Sequence, residues 1–310
     1  MGARPHMLMD SEIFEKYKKA GKVNIKAKNL VEKLAKPGAK VLDIAEKVEN
    51  LIKEEGARLA FPANISINNI AAHYTPDYEC KIVLGEDDLV KFDLGVQVDG
   101  FIADSAITIT TNPKNDLHVK LIEAAQKSLE KAIELVKPGV KIEKIGETIE
   151  NTMKSFGVKP IENLTGHGVG QYVQHDEPII PNVKKSGGIL EEGMSIAIEP
   201  FSTNGEGLVY DDKEVQIYEF IAKIPVRLME ARRILMMAEK DFEKLPFAKR
   251  WIEKKIGKLK LALAFRELNQ FGALYQYPVL KEKGNGLVAQ FEHTMVVQKD
   301  GAFVTTMGQK

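Results

Sequence analysis

Apolar residues recur at helical spacing in two stretches of similar sequence. PGAKVLDIAEKVENLIKEEG from Pro37 carries Val41, Ile44, Val48 and Leu51, and PGVKIEKIGETIENTMKSFG from Pro138 carries Ile142, Ile145, Ile149 and Met153. The two are offset by 101 residues and share Pro, Gly, Lys, Ile, Glu, Glu, Asn, Lys and Gly. Each predicts an amphipathic helix entered through a Pro-Gly turn, with a second helix before it, around 25–35 and 117–136. After each helix pair the pattern becomes that of β-structure, GEDDLVKFDLG at 85–95 and EEGMSIAIEPF at 191–201. ADSAITIT continues the first, whereas the comparable FEHTMVV comes only at 291–297. The chain therefore reads as α+β, two pseudo-symmetric αα-plus-β-hairpin halves, the second opened by an insertion of roughly 60 residues or more.

Four acids stand where apolar strand residues are expected. Aligning the apolar runs sets Asp93 opposite Glu199 and Asp104 opposite Glu292. Asp99-Gly100 is a strong signal for a two-residue type I′ hairpin turn. That turn pairs Val98 with Phe101 and Gly95 with Asp104. Asp93 and Asp104 then share a sheet face as diagonal neighbours, roughly 7–8 Å apart, whereas a three-residue loop without a bulge would turn Asp104 to the opposite face. Like charges on one face repel, and burying either unpaired is costly. Hard divalent cations relieve both problems. His167, in LTGHGVG, adds a nitrogen donor, which shifts the preference toward manganese, cobalt, iron or zinc. Four carboxylates and one imidazole exceed the ligand set of a single tetrahedral zinc, so two ions are expected.

Composition removes several alternatives. Cys80 is the only cysteine, which excludes an intrachain disulfide and thiolate metal sites; no base partner for a thiol nucleophile is recognisable. Lys+Arg and Asp+Glu balance at 44 each, so no whole-surface field for nucleic acid is expected. No run is long and apolar enough for a membrane span, and no secretory segment opens the chain; a cytoplasmic location is the expectation. Residues 1–7 read as an expression leader, and His6 is given no role. GHGVG lacks the context of a nucleotide fingerprint. His118 is expected on an exposed helix start, and His293 on the strand face away from Glu292.

The combination DxGVxxDGFIAD (Asp93 to Asp104), GH (Gly166-His167), AIEPF (Ala197 to Phe201) and AQFEHT (Ala289 to Thr294) resembles the methionine aminopeptidases. With FPANISINNIAAHYTP at 61–76 and the long insertion, it is similar to the type 2 enzymes in their short archaeal form, over essentially the whole chain after the leader. The resemblance implies a pita-bread catalytic domain, 8–310, containing a helical insertion at 223–286, and a dinuclear centre between the halves. It implies that Asp93 serves one metal, that His167 and Glu199 complete the other, and that Asp104 and Glu292 bridge both. His73 and His175 would contact the scissile peptide, and Phe61, Pro62, Asn64 and Tyr277 would form the methionine pocket. One departure is visible: His175-Asp-Glu-Pro replaces the usual type 2 His-Ala-Gly and is closer to type 1 and prolidase wording, although the His167-to-His175 spacing is that of type 2.

The expected reaction is hydrolysis of an N-terminal methionine from a nascent chain by a monomer, with two ions activating water and Glu199 shuttling the proton. His73 would stabilise the oxyanion or position the scissile amide, and His175 would bind the peptide carbonyl. Residues 223–260 hold 12 Lys or Arg against 5 Asp or Glu. That balance describes a solvated face or, functionally, a ribosomal RNA contact through Arg232, Arg233, Lys249, Arg250 and Lys254. A prolidase-like dipeptidase and a non-catalytic RNA- or ribosome-binding relative are the competing readings; the second should have lost ligands, and this chain keeps all five.

Overall fold

The computed structural model describes residues 9–308, apart from the Lys254 side chain; the expected leader at 1–7 lies outside the described residues. Helices α1 (Ser11–Leu34) and α2 (Val41–Glu54) pack on one sheet, and α3 (Asp116–Leu135) and α4 (Ile142–Ser155) on another. Gly38 and Gly139, at φ 84 and 85, make the left-handed turns that the two Pro-Gly pairs announce. The α2 stripe runs through Val41, Ile44 and Val48 to Ile52, not to Leu51, which is only half-buried. Ile52 is thereby the counterpart of Met153 in α4. Each such side chain, fully withdrawn from water, stabilises by about 1.5–3 kcal/mol.

The first helix begins at Ser11 rather than near residue 25, capped by Asp10, whose carboxylate accepts from Glu12 N at 2.8 Å. Its early turns lack a visible apolar stripe because polar and small residues are the ones it buries. Asn24 donates to Leu94 O and Ala103 O at 2.6 and 3.1 Å. A Cβ on Gly21 would lie 2.0 Å from Thr305 O.

The first sheet contains the hairpin of Leu89–Val98 and Phe101–Thr110, with Val98 opposite Phe101 and Gly95 opposite Asp104. Asp99 and Gly100 both take positive φ, 51 and 85, as a type I′ turn demands. The second half builds a five-stranded sheet in which Ser195–Ile198 lies between Thr165–Gly170 and His293–Gln298. Its register, His293 opposite Ile198, is extended by Phe291 N donating to Pro200 O, which sets Glu199 across from Glu292. Asp93 and Asp104 are offset by two residues in their hairpin, so the two halves differ in register by a step that leaves the sheet face unchanged.

Between Phe201–Thr203 and Val288–Gln290, which pair with each other, the chain makes its long excursion. Two long antiparallel strands, Val209–Phe220 and Leu274–Glu282, frame it, and Ile70–Ala72 of the first half joins their sheet. Helices α5 (Met229–Lys240), α6 (Lys249–Ile256) and α7 (Lys258–Gln270) pack on this sheet around Ile234, Phe247, Leu261 and Leu268. Two expectations are corrected. His118 is buried and hydrogen-bonded to Thr110 Oγ1 at 2.8 Å, because the helix start packs on the strand end. Arg250 is buried in an ion pair with Glu49, so it is no part of a solvated basic face.

Candidate metal centre

Three separate pieces of backbone deliver the acids and the imidazole to one place. The hairpin presents Asp93 and Asp104, the second sheet presents Glu199 and Glu292, and His167 sits opposite Ala197 on the adjoining strand. Gly166 permits that approach, since a Cβ there would fall 2.3 Å from Ala197 O. All five line a cavity of about 830 Å³, together with Asn64, His73, His175 and Tyr277. Phe61 and Pro62 do not line it; Phe61 is buried beneath the hairpin against Gly95, Ile102 and Leu245.

Seven acids and neither lysine nor arginine are among the described residues lining the cavity. Burial, reinforced by mutual repulsion, pushes Asp104, Glu199 and Glu292 well above the usual carboxylate range, and burial pushes Asp93 up to about 7. Asp93 Oδ1, Asp104 Oδ1 and both Glu292 oxygens are buried without a hydrogen-bond partner. Ordinary folded proteins satisfy such atoms, and leaving one unsatisfied costs roughly 1–3 kcal/mol, more when it is charged.

The imidazole narrows the kind of partner these acids suit. His167 Nδ1 lies 3.0 Å from Gly168 O, a contact that assigns the ring hydrogen to Nδ1. Burial depresses this ring to about 3, so it stays neutral, and its Nε2 lone pair faces Asp104 Oδ2 at 3.9 Å and Glu199 Oε1 at 3.8 Å. Lone pair against carboxylate is repulsive without a cation between them. Asp104, His167 and Glu292 each offer a donor atom within 4.8 Å of the others. This oxygen-rich set with one nitrogen fits a divalent transition-metal ion, and the hydrogen-bonded far nitrogen of the histidine is the usual supporting arrangement.

The two other histidines lie along the same cavity. His73 adopts φ 63, and its Nδ1 reaches Pro278 O at 3.2 Å; burial lowers its pKa to about 4. His175 stands at the mouth, edge-on to His167 with ring centres 4.6 Å apart. His293 points elsewhere, bonded to Thr306 Oγ1 at 2.8 Å.

Three residues escaped the sequence reading. Gln290 donates to Glu199 Oε2 at 3.2 Å, and Thr294 Oγ1 bonds both Asp104 N and Asp104 O at 2.8 Å. Both stand two positions from Glu292, so strand periodicity could have marked them. Glu219, bonded to the Tyr277 hydroxyl, lines the cavity from the excursion, where nothing in the sequence marks it as facing inward.

Residues 15–299 match metallopeptidase family M24. Methionine aminopeptidase of Thermococcus onnurineus is 46% identical over 292 residues, spanning 93% of this chain and 97% of its own length. Among solved structures, a thermophilic Arx1 superposes with a TM-score of 0.85 at 21% identity, covering 97% of this chain and 92% of its own. A methionine aminopeptidase from Thermotoga maritima gives 0.72 at 24% identity, covering 97% and 99%. These last two likenesses are of fold.

Proposed function

The chain belongs to metallopeptidase family M24 and, within it, to the methionine aminopeptidases; from that premise we propose the type 2 class and a pair of divalent ions held by Asp93, Asp104, His167, Glu199 and Glu292. The enzyme is a metal-dependent hydrolase acting on peptides that begin with methionine. The observation that carries the two-ion reading is the set of orphaned oxygens on Asp93, Asp104 and Glu292, beside a His167 Nε2 that faces other oxygens of Asp104 and Glu199. By the family resemblance Asp93 would hold one ion, His167 and Glu199 the other, and Asp104 and Glu292 would contribute to both, with cobalt, manganese, iron and zinc as the candidates. When bound, the ions supply Lewis acidity and lower the pKa of water.

The protein's own groups account for the remaining chemistry. Glu199, oriented by the Gln290 amide, can accept a proton from the attacking water and return it to the leaving amine. His73 gives its Nδ1 hydrogen to Pro278 O and is neutral near pH 7, so Nε2 is an acceptor. It therefore suits the N–H of the scissile amide, not an oxyanion, which needs a donor. His175 at the mouth would bind a peptide carbonyl, and Asn64 and Tyr277, which line the cavity, would contact the methionine side chain. Phe61 and Pro62 would act from behind.

We extend the reading to a cytoplasmic monomer meeting nascent chains. No helix among the described residues is long and apolar enough to cross a membrane. Release of free methionine from Met-Ala-Ser, compared with turnover of Ala-Pro, tests the assignment. Chelator-sensitive methionine release with Ala-Pro untouched is expected; the reverse preference would substitute the prolidase-like alternative.

A further inference from the structure

A second cavity, about 570 Å³, lies between α2 and the excursion and shares no lining residue with the first. Glu49, Arg250 and Trp251 line it. Glu49 and Arg250 form an ion pair that is almost wholly buried, 4% and 3% exposed at the side chain, although the two residues are 201 positions apart in sequence. Trp251 Nε1 donates to the other Glu49 oxygen at 2.8 Å. A buried pair of this kind contributes little net stability compared with an apolar replacement. Its retention therefore calls for an account in terms of what it holds.

What it holds is the backbone behind the substrate cavity. Ala63 N donates to Glu49 Oε1 at 3.2 Å, and Thr75 Oγ1 donates to Ala63 O at 2.8 Å while accepting from Arg250 Nη1 at 3.0 Å. Between these anchors Ile65 N bonds Tyr74 O at 2.7 Å. Segments 63–65 and 73–75 are thus laced together, and the ion pair grips both. Asn64 and His73, the cavity-lining members of those segments, each sit next to a gripped residue or one position removed from it. His73 is moreover in the left-handed region, a conformation that persists for a non-glycine residue only where its surroundings over-determine it.

Resting on the aminopeptidase reading of the first cavity, we propose that Glu49 and Arg250 are positioning residues that set Asn64 and His73 against the substrate, and that they couple the second cavity to the first. Binding in one cavity must then alter the state of the other, reciprocally. Trp251 is the only tryptophan in the chain, so its emission reports on the second cavity alone.

The experiment has two arms on full-length, metal-loaded protein. In the first, L-methionine, the reaction product, is titrated while Trp251 emission is recorded; a saturable change is expected at the concentrations that inhibit turnover. In the second, the double variant Glu49→Gln/Arg250→Met leaves no lone buried charge. Its KM for Met-Ala-Ser should rise about tenfold or more, with a smaller effect on kcat and with metal content retained. Leu268→Ala, which opens a void in the excursion's own core, controls for lost stability and should leave KM unchanged. Emission that does not respond to inhibitory methionine, an unaltered KM in the double variant, or an equal KM rise in Leu268→Ala would each overturn the proposal. Absent methionine release by the wild type would instead count against the aminopeptidase reading on which the proposal rests.

Discussion

His167 Nε2 and Glu199 Oε1 face each other across 3.8 Å, too far for a hydrogen bond, the ring hydrogen being engaged at Nδ1 by Gly168 O. A neutral imidazole beside a carboxylate gains nothing from that approach unless a cation joins them. His167→Ala should therefore leave protein that folds but holds less metal, with methionine release from Met-Ala-Ser reduced by more than about 100-fold. Metal analysis after dialysis, alongside the rate, checks it. Full metal content in the variant would remove His167 from the ligand set.

Metal-free protein should show an inverted pH dependence. The four acids have folded pKa values raised above their unfolded values, Asp93 to about 7 and the others well up. The folded state then binds the extra protons, so their contribution is fully present below the unfolded pKa near 4 and is lost as pH rises through the folded values. Chelated protein should melt at least about 5 °C lower at pH 8 than at pH 5. Added divalent ion should erase most of that difference, because it replaces the protons. A melting temperature that is flat or rises with pH in the chelated protein would contradict the electrostatic account.

The origin of the acids' convergence was legible because it depends on short-range rules. Asp99-Gly100 dictates a two-residue turn, the turn dictates the Gly95–Asp104 pairing, and period-2 alternation does the rest. The repeat extended the argument to Glu199 and Glu292. What stayed hidden is set by long-range packing. His118 follows polar residues and looks exposed, yet the strand end at Thr110 covers it. Arg250 sits in a basic run, and only the fold brings Glu49 to it from 201 residues away. Asn24 and Gly21 blurred the first helix because they face main-chain atoms instead of apolar side chains. Phe61 was expected at the methionine pocket, and its contact with Gly95 places it one layer behind.

Gln290 offers a test of how Glu199 is oriented. Its amide donates to Glu199 Oε2 at 3.2 Å. Gln290→Ala removes that donor without touching the four acids and the imidazole. The expected result is a kcat lower by about 10–100-fold, with KM changed much less and a displaced pH–rate profile, as Glu199 loses the hydrogen bond that favours its ionised form. An unchanged profile would mean that Gln290 only fills space.

The surface of the excursion gives a final prediction, narrower than its composition suggests. Of its cations, Arg250 is buried, Lys223 pairs with Glu239, Lys258 with Glu79 and Lys260 with Glu230. Within 223–260, exposed charge remains at Arg227, Arg232, Arg233, Lys240, Lys244 and Lys255, with Lys249, half-buried, at the start of α6. If this lobe meets ribosomal RNA, Arg232→Glu/Arg233→Glu/Lys249→Glu should weaken co-sedimentation with ribosomes, and wild-type association should fall steeply with added salt, since phosphate contacts release counterions. Tripeptide hydrolysis should not change, because none of the three lines the substrate cavity. Arg250→Glu would be a poor probe, since it would place two carboxylates together at Glu49 and disturb the lacing at Ala63 and Thr75. Undiminished co-sedimentation of the triple variant would leave the basic run as an ordinary solvated face.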